Sequence, residues 1–148
     1  MIFARTIEPP YQKIMDTFIL ESGLRIAGLM LSGLVVANFV AAKRWDYAGN
    51  LAGRQVIIRQ VFFVHCAYIV AIITALAIQC LGWPGLLLEG GMARVVCAFF
   101  GLFWGSRVVV QLTYYDKEMR RRDRGWDVFF LGVFLTLALI FTLAAIYQ

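Results

Sequence analysis

The sequence predicts an all-α membrane protein, a four-helix antiparallel transmembrane bundle. Three observations predict it. Of 148 residues, 61% are hydrophobic and only 16% charged, against about 25% charged in soluble domains. The apolar residues fall into four long runs, and Lys and Arg gather at two of the three connections between them. A soluble fold of this length would need polar residues over most of its surface, so lipid is the solvent that suits the composition. The whole chain, 1–148, then reads as a single integral membrane domain.

The four spans are expected at approximately 25–42, 56–80, 95–115 and 127–147, each close to the ~20 helical residues that cross a hydrocarbon core. Short connections make successive helices antiparallel neighbours. The first connection, Lys43 to Arg54, carries Gly49-Asn50 as a turn signal; the second, Gly82 to Gly91, carries Trp83-Pro84-Gly85 and Gly90-Gly91. The third runs from Asp116 to Gly125. The first apolar run lacks a small-residue cleavage pattern and reads as a span rather than a cleaved signal.

Ahead of the first span, apolar residues recur at Tyr11, Ile14, Met15, Phe18 and Ile19 after Pro9-Pro10. That one-sided spacing predicts an N-terminal amphipathic helix, lying in the outer interface or continuing into the span.

Orientation follows from the basic residues. Lys43, Arg44, Arg54 and Arg59 mark the first connection, and Lys117, Arg120, Arg121, Arg122 and Arg124 the third, whereas Gly82 to Gly91 has none. The positive-inside rule makes the first and third connections cytoplasmic and puts both termini on the non-cytoplasmic side, in a bacterial inner (cytoplasmic) membrane. The same placement beside apolar segments argues against a nucleic-acid partner despite a net charge of +5. The cluster from Lys117 to Arg124 reads first as a topology signal and second as a lipid-facing basic surface.

Polar residues inside the spans are the candidates for function. Arg107 lies near the middle of the third span, where a charge costs about 2.5–3.5 kcal/mol on the insertion scale, so it is expected to face protein or water and to have a partner. No Asp or Glu lies within a span beyond its end residues, so a carboxylate partner would come from the edge: Asp116, Asp127 or Asp46. Gln111 follows Arg107 by one helical turn. His65, the single histidine, lies at a broadly similar depth on the second span, and Asn38 adds polarity on the first. Arg107, Gln111, His65, Asn38 and Trp104 therefore form the candidate ligand site, an inward-facing polar cavity.

Small residues mark helix packing. Gly101 and Gly105 give the third span a GxxxG spacing, and Gly28 and Gly33 give the first a second small-residue surface. Trp45, Trp83 and Trp126, with Tyr47 and Tyr147, read as an interfacial aromatic belt. Cys66, Cys80 and Cys97 have no CxxC or metal-ligand spacing, so no metal site is expected. They read as buried thiols, with a Cys80–Cys97 link as the one pairing to consider.

The sequence carries no GxSxG elbow, HExxH or phosphate-binding loop, and no catalytic residue is assigned. The leading expectation is a small accessory or structural subunit of a larger bacterial-type membrane protein complex, partnered by lipid and by other subunits or further copies of itself, rather than an enzyme. A second reading is an enzyme or binding protein for an anionic amphipathic lipid, with Arg107 and Gln111 gripping the anion and His65 serving as acid or base. A third is an electron-transfer subunit with haem or pigment held by His65. No cofactor is otherwise expected.

Overall fold

A computed structural model describes residues 10–147. The described chain is all-α, with no strand: α1 (Pro10–Arg44), α2 (Tyr47–Ala52), α3 (Val56–Gly82), a 3-10 turn (Pro84–Leu88), α4 (Met92–Thr113), α5 (Lys117–Arg122) and α6 (Arg124–Ile146). Four stretches are long and apolar enough to cross a membrane, Ile14–Arg44, Val56–Gly82, Met92–Thr113 and Arg124–Ile146. This is the helical, membrane-embedded class that the composition requires.

The first span is longer than the apolar run alone implies. α1 begins at Pro10, whose fixed φ suits a first helical residue, and continues unbroken to Arg44. The amphipathic tail is thus the first part of the span helix, and Tyr11, Ile14, Met15, Phe18 and Ile19 are exposed along it. Lys43 and Arg44 lie in the last turn, where cations complement the helix dipole.

Two compact units divide the chain: Arg25–Trp83, and Met1–Leu24 with Pro84–Gln148. In the first, Gly28 comes against Cys80 and Leu81, so that a Cβ on Gly28 would lie 2.7 Å from Leu81 Cγ. The start of α1 within this unit therefore meets the end of α3, as an antiparallel pair does. Between them, the Gly49-Asn50 signal produces a short helix rather than a bare turn. Asp46 takes a left-handed backbone at φ 39° and accepts the Gly49 amide, which caps α2, while the Asn50 side chain donates to the Trp45 and Asp46 carbonyls.

In the second unit α4 and α6 lie antiparallel along their whole lengths. The buried residues of α6 are Phe134, Leu137, Phe141 and Ala144; those of α4 are Cys97, Gly101, Trp104 and Gln111. Spacings of three, four and seven keep each set on one narrow stripe, the pattern of a left-handed helix pair. At Gly101 the two helices approach closely: a Cβ there would lie 2.6 Å from Thr142 Oγ1 and 3.2 Å from the Thr142 backbone nitrogen. Gly105 and, on α1, Gly33 have no such neighbour within 4 Å. The first glycine of the GxxxG pair thus serves the contact with α6, and the second leaves its backbone open.

The 3-10 turn precedes Gly90 and Gly91, both at positive φ (76° and 54°), a conformation open to glycine at no steric cost. Leu87 is buried, and its carbonyl accepts the Cys97 thiol at 3.4 Å. No disulfide joins Cys80 and Cys97. Cys97 is instead engaged with this turn.

Candidate functional site: a polar clamp between two membrane helices

Gln111 is the one amide, hydroxyl or charged side chain that is buried among the described residues, with 4% of its surface exposed. It projects from the last part of α4 into the stripe that faces α6. An unsatisfied amide there would cost about 1–3 kcal/mol. Its Nε2 donates instead to the backbone carbonyl of Asp127 at 2.7 Å and to Asp127 Oδ1 at 2.9 Å. The pairing follows from antiparallel geometry, because Gln111 lies near the end of α4 and Asp127 near the start of α6 at matching distances from the connection.

Asp127 is also held from the other side. Arg120 of α5 donates Nε to both carboxylate oxygens at 3.1 Å and Nη2 to Oδ2 at 3.0 Å. Its remaining nitrogen, Nη1, reaches the Leu112 carbonyl at 3.3 Å, one of the last four carbonyls of α4 that lack an intrahelical donor. One guanidinium therefore finishes the end of α4 and holds the start of α6. The Asp127 carboxylate lies in the first turn of α6, the end at which a helix dipole favours negative charge. Side-chain exposure is 25% for Arg120 and 15% for Asp127, so the fork geometry operates partly out of water, where it is stronger than on an open surface.

Arg107 finds a different solution. Its Nη2 donates to the Tyr115 hydroxyl at 2.8 Å, and its guanidinium carbon lies 5.1 Å from the centre of the Phe134 ring and 5.4 Å from that of Tyr115. Two aromatic faces and a phenol oxygen thus surround the charge, an attractive arrangement for a desolvated cation. Trp104 stacks on Phe134 at 5.6 Å and 16°. Phe130 and Trp126 extend the run of rings towards the start of α6, at 6.2 Å and 6.0 Å between successive centres. The Trp104 indole nitrogen is buried with no hydrogen-bond partner among the described residues.

The expected site residues each have partners of their own within their unit. Gln111 belongs to the α4–α6 seam, while Arg107 sits at its flank, with Trp104 sharing the Phe134 ring. The edge carboxylate Asp127 is taken by Arg120 and Gln111, not by Arg107. In the other unit Asn38 donates to the Leu34 carbonyl of its own helix at 2.8 Å, and a His65 ring nitrogen, Nδ1, lies 2.9 Å from the Val61 carbonyl. His65 is exposed and borders a shallow groove with Ile57, Ile58, Val61 and Phe62, all from successive turns of α3.

Of the basic cluster, Lys117, Arg121, Arg122 and Arg124 are exposed, but Arg120 is turned inward. Asp127 was expected as an edge carboxylate for Arg107 and Arg120 as part of the basic cluster, but not as partners of each other; Tyr115 and Phe134 were not among the expected site residues. The signal for Asp127 was its mirror position to Gln111 across the connection. Nothing in the spacing of five neighbouring cations distinguishes Arg120 from the others.

These features define a helical membrane protein in which Gln111, Arg120 and Asp127 engage one another and Arg107 is held by Tyr115 and Phe134. Comparison with models of protein families, with curated proteins and with solved structures finds no match, so the chain's own geometry is the basis for its function.

Proposed function

We propose that this chain is a small accessory or structural subunit of a larger membrane protein complex, seated in a bacterial inner (cytoplasmic) membrane with both termini on the non-cytoplasmic side. The observation that carries the proposal is the closure of the polar groups on one another: Gln111, Arg120 and Asp127 form a clamp, and Arg107 is held by Tyr115 and Phe134. Polarity used in this way fixes a helix pair, and a fixed helix pair is what a neighbouring subunit needs in order to dock.

Gly105 and Gly33, where a Cβ would meet no other element within 4 Å among the described residues, add places where another helix can approach closely. Orientation rests on the contrast between the Lys/Arg-rich first and third connections and the second, which has neither residue. The inner membrane suits a helical span protein, since bacterial outer-membrane proteins are built as barrels.

The test is extraction of the tagged full chain in native-lipid nanodiscs, followed by native mass spectrometry and a C-terminal reporter read on both sides of the membrane. A fixed stoichiometry with another membrane protein, or with further copies of the chain, and a reporter active only outside the cytoplasm are expected. A monodisperse monomer carrying lipid alone would overturn the subunit reading, and a reporter active only in the cytoplasm would overturn the orientation.

A further inference from the structure

The connection between α4 and α6 carries the most concentrated charge on the molecule, and the structure separates its cations by use. Arg120 is engaged with Asp127 and with the end of α4. Arg122 lies 3.9 Å from Asp123 with its side chain 78% exposed, too open and too long a contact to neutralise it appreciably. Lys117, Arg121 and Arg124 are exposed and make no ion pair among the described residues. Each therefore presents a full positive charge to its surroundings.

The Arg120–Asp127 contact fixes these charges relative to the end of the α4–α6 pair. Arg120 pins α5 to the first turn of α6, so Arg121 and Arg122 follow directly from a fixed residue. Arg124 is the first residue of α6, where a basic side chain does nothing to offset the dipole and is the less favourable choice for the helix itself. Exposed aromatics lie on either side of the group in sequence: Tyr114 at the end of α4, and Trp126 at the start of α6, which stacks on Phe130. Tyr and Trp settle at headgroup level, where one end of the ring system is wet and the other apolar. At that level the abundant anions are lipid phosphates.

We propose that Arg121, Arg122 and Arg124, flanked by Tyr114 and Trp126, form a binding surface for the phosphate groups of anionic phospholipids. The bound species is a lipid rather than a free phosphate, because the aromatic borders engage the acyl–headgroup boundary while the guanidinium groups engage the anion. Each basic residue near an anionic bilayer contributes about 1 kcal/mol, falling off within a Debye length, so three of them favour an anionic over a zwitterionic lipid by roughly two orders of magnitude in the local binding equilibrium.

The experiment uses the full chain in vesicles of phosphatidylcholine with one fifth phosphatidylglycerol, and native mass spectrometry counts the lipids retained on release. The wild type is expected to retain phosphatidylglycerol well above its bulk share. The variant R121Q/R122Q/R124Q is expected to lose that enrichment, and R121K/R122K/R124K to keep most of it, which separates loss of charge from loss of fold. Undiminished enrichment in the glutamine variant, or equal loss in the lysine variant, would overturn the proposal. Displacement of the retained lipid by inorganic phosphate at millimolar concentration would overturn the lipid assignment.

Discussion

Arg120 and Asp127, seven residues apart, meet through two guanidinium nitrogens and both carboxylate oxygens, and the contact closes the end of the α4–α6 pair. Because the same guanidinium reaches the Leu112 carbonyl and the same carboxylate accepts from Gln111, the contact joins the end of α4, all of α5 and the start of α6.

Gln111 completes that clamp from within the seam. Replacing it with Leu keeps the volume approximately but leaves the Asp127 backbone carbonyl without this donor and one carboxylate oxygen with one donor fewer. Membrane hydrogen bonds of this kind average about 0.6 kcal/mol and reach about 1.7. Q111L is expected to fall near the upper figure, because two acceptors are affected. Unfolding of the purified chain in bicelles measures it.

Gly101 and Gly105 make opposite predictions despite sharing one motif. G101V drives a branched side chain into the Thr142 backbone and is expected to destabilise the isolated chain by about 1–3 kcal/mol. A Cβ at Gly105 meets no neighbouring element within 4 Å, so G105V is expected to leave the melting temperature of the isolated chain within about 2 °C, since a surface change is usually worth less than about 0.5 kcal/mol. Its effect is expected in the assembled complex instead, as a lowered yield of the co-purifying subunit.

Arg107 depends on ring faces more than on charge. R107K retains the cation but loses the planar group that lies over Phe134 and Tyr115, with an expected loss of about 0.5–2 kcal/mol. Y115F removes the hydroxyl acceptor, keeps the ring, and is expected to cost less than R107K in the same measurement. Equal losses would mean that the hydrogen bond carries the whole interaction.

Thiol reactivity reports the packing directly. Cys80 and Cys97 are fully buried, and Cys66 is partly exposed. A membrane-permeant maleimide is expected to label Cys66 first, with Cys80 and Cys97 labelled only as the protein unfolds.

Much of the fold was legible because membrane spans are written in hydropathy. The runs beginning near Val56 and Val95 and the run to Tyr147 lie within a few residues of α3, α4 and α6, and the N-terminal spacing from Tyr11 to Ile19 marks helix that proves continuous with the first span. The helix at Tyr47–Ala52 was not legible: Gly49-Asn50 reads as a turn, and it is the Asp46 side chain on the Gly49 amide that turns the segment into a capped helix.

The site was legible in part. Gln111 and Arg107 stand out as polar groups among apolar neighbours, and 40° of helical rotation separates them, which suggests a common face. That small angle places them on different sides of a boundary, because the seam with α6 is one side chain wide. Gln111 falls inside it, and Arg107 falls beside it, within reach of Phe134. Which of five neighbouring cations turns inward depends on where α5 ends and α6 begins, a matter of backbone path that charge spacing does not encode.

The central claim is that the charged and polar groups at the α4–α6 connection act as one clamp. It is tested most directly by a double-mutant cycle on the full chain in bicelles, comparing the unfolding free energies of wild type, R120Q, D127N and R120Q/D127N. The account predicts a coupling of about 1–3 kcal/mol, the double variant losing less than the sum of the single losses. Single losses that add to within about 0.5 kcal/mol would show that Arg120 and Asp127 do not act on each other, and would contradict it.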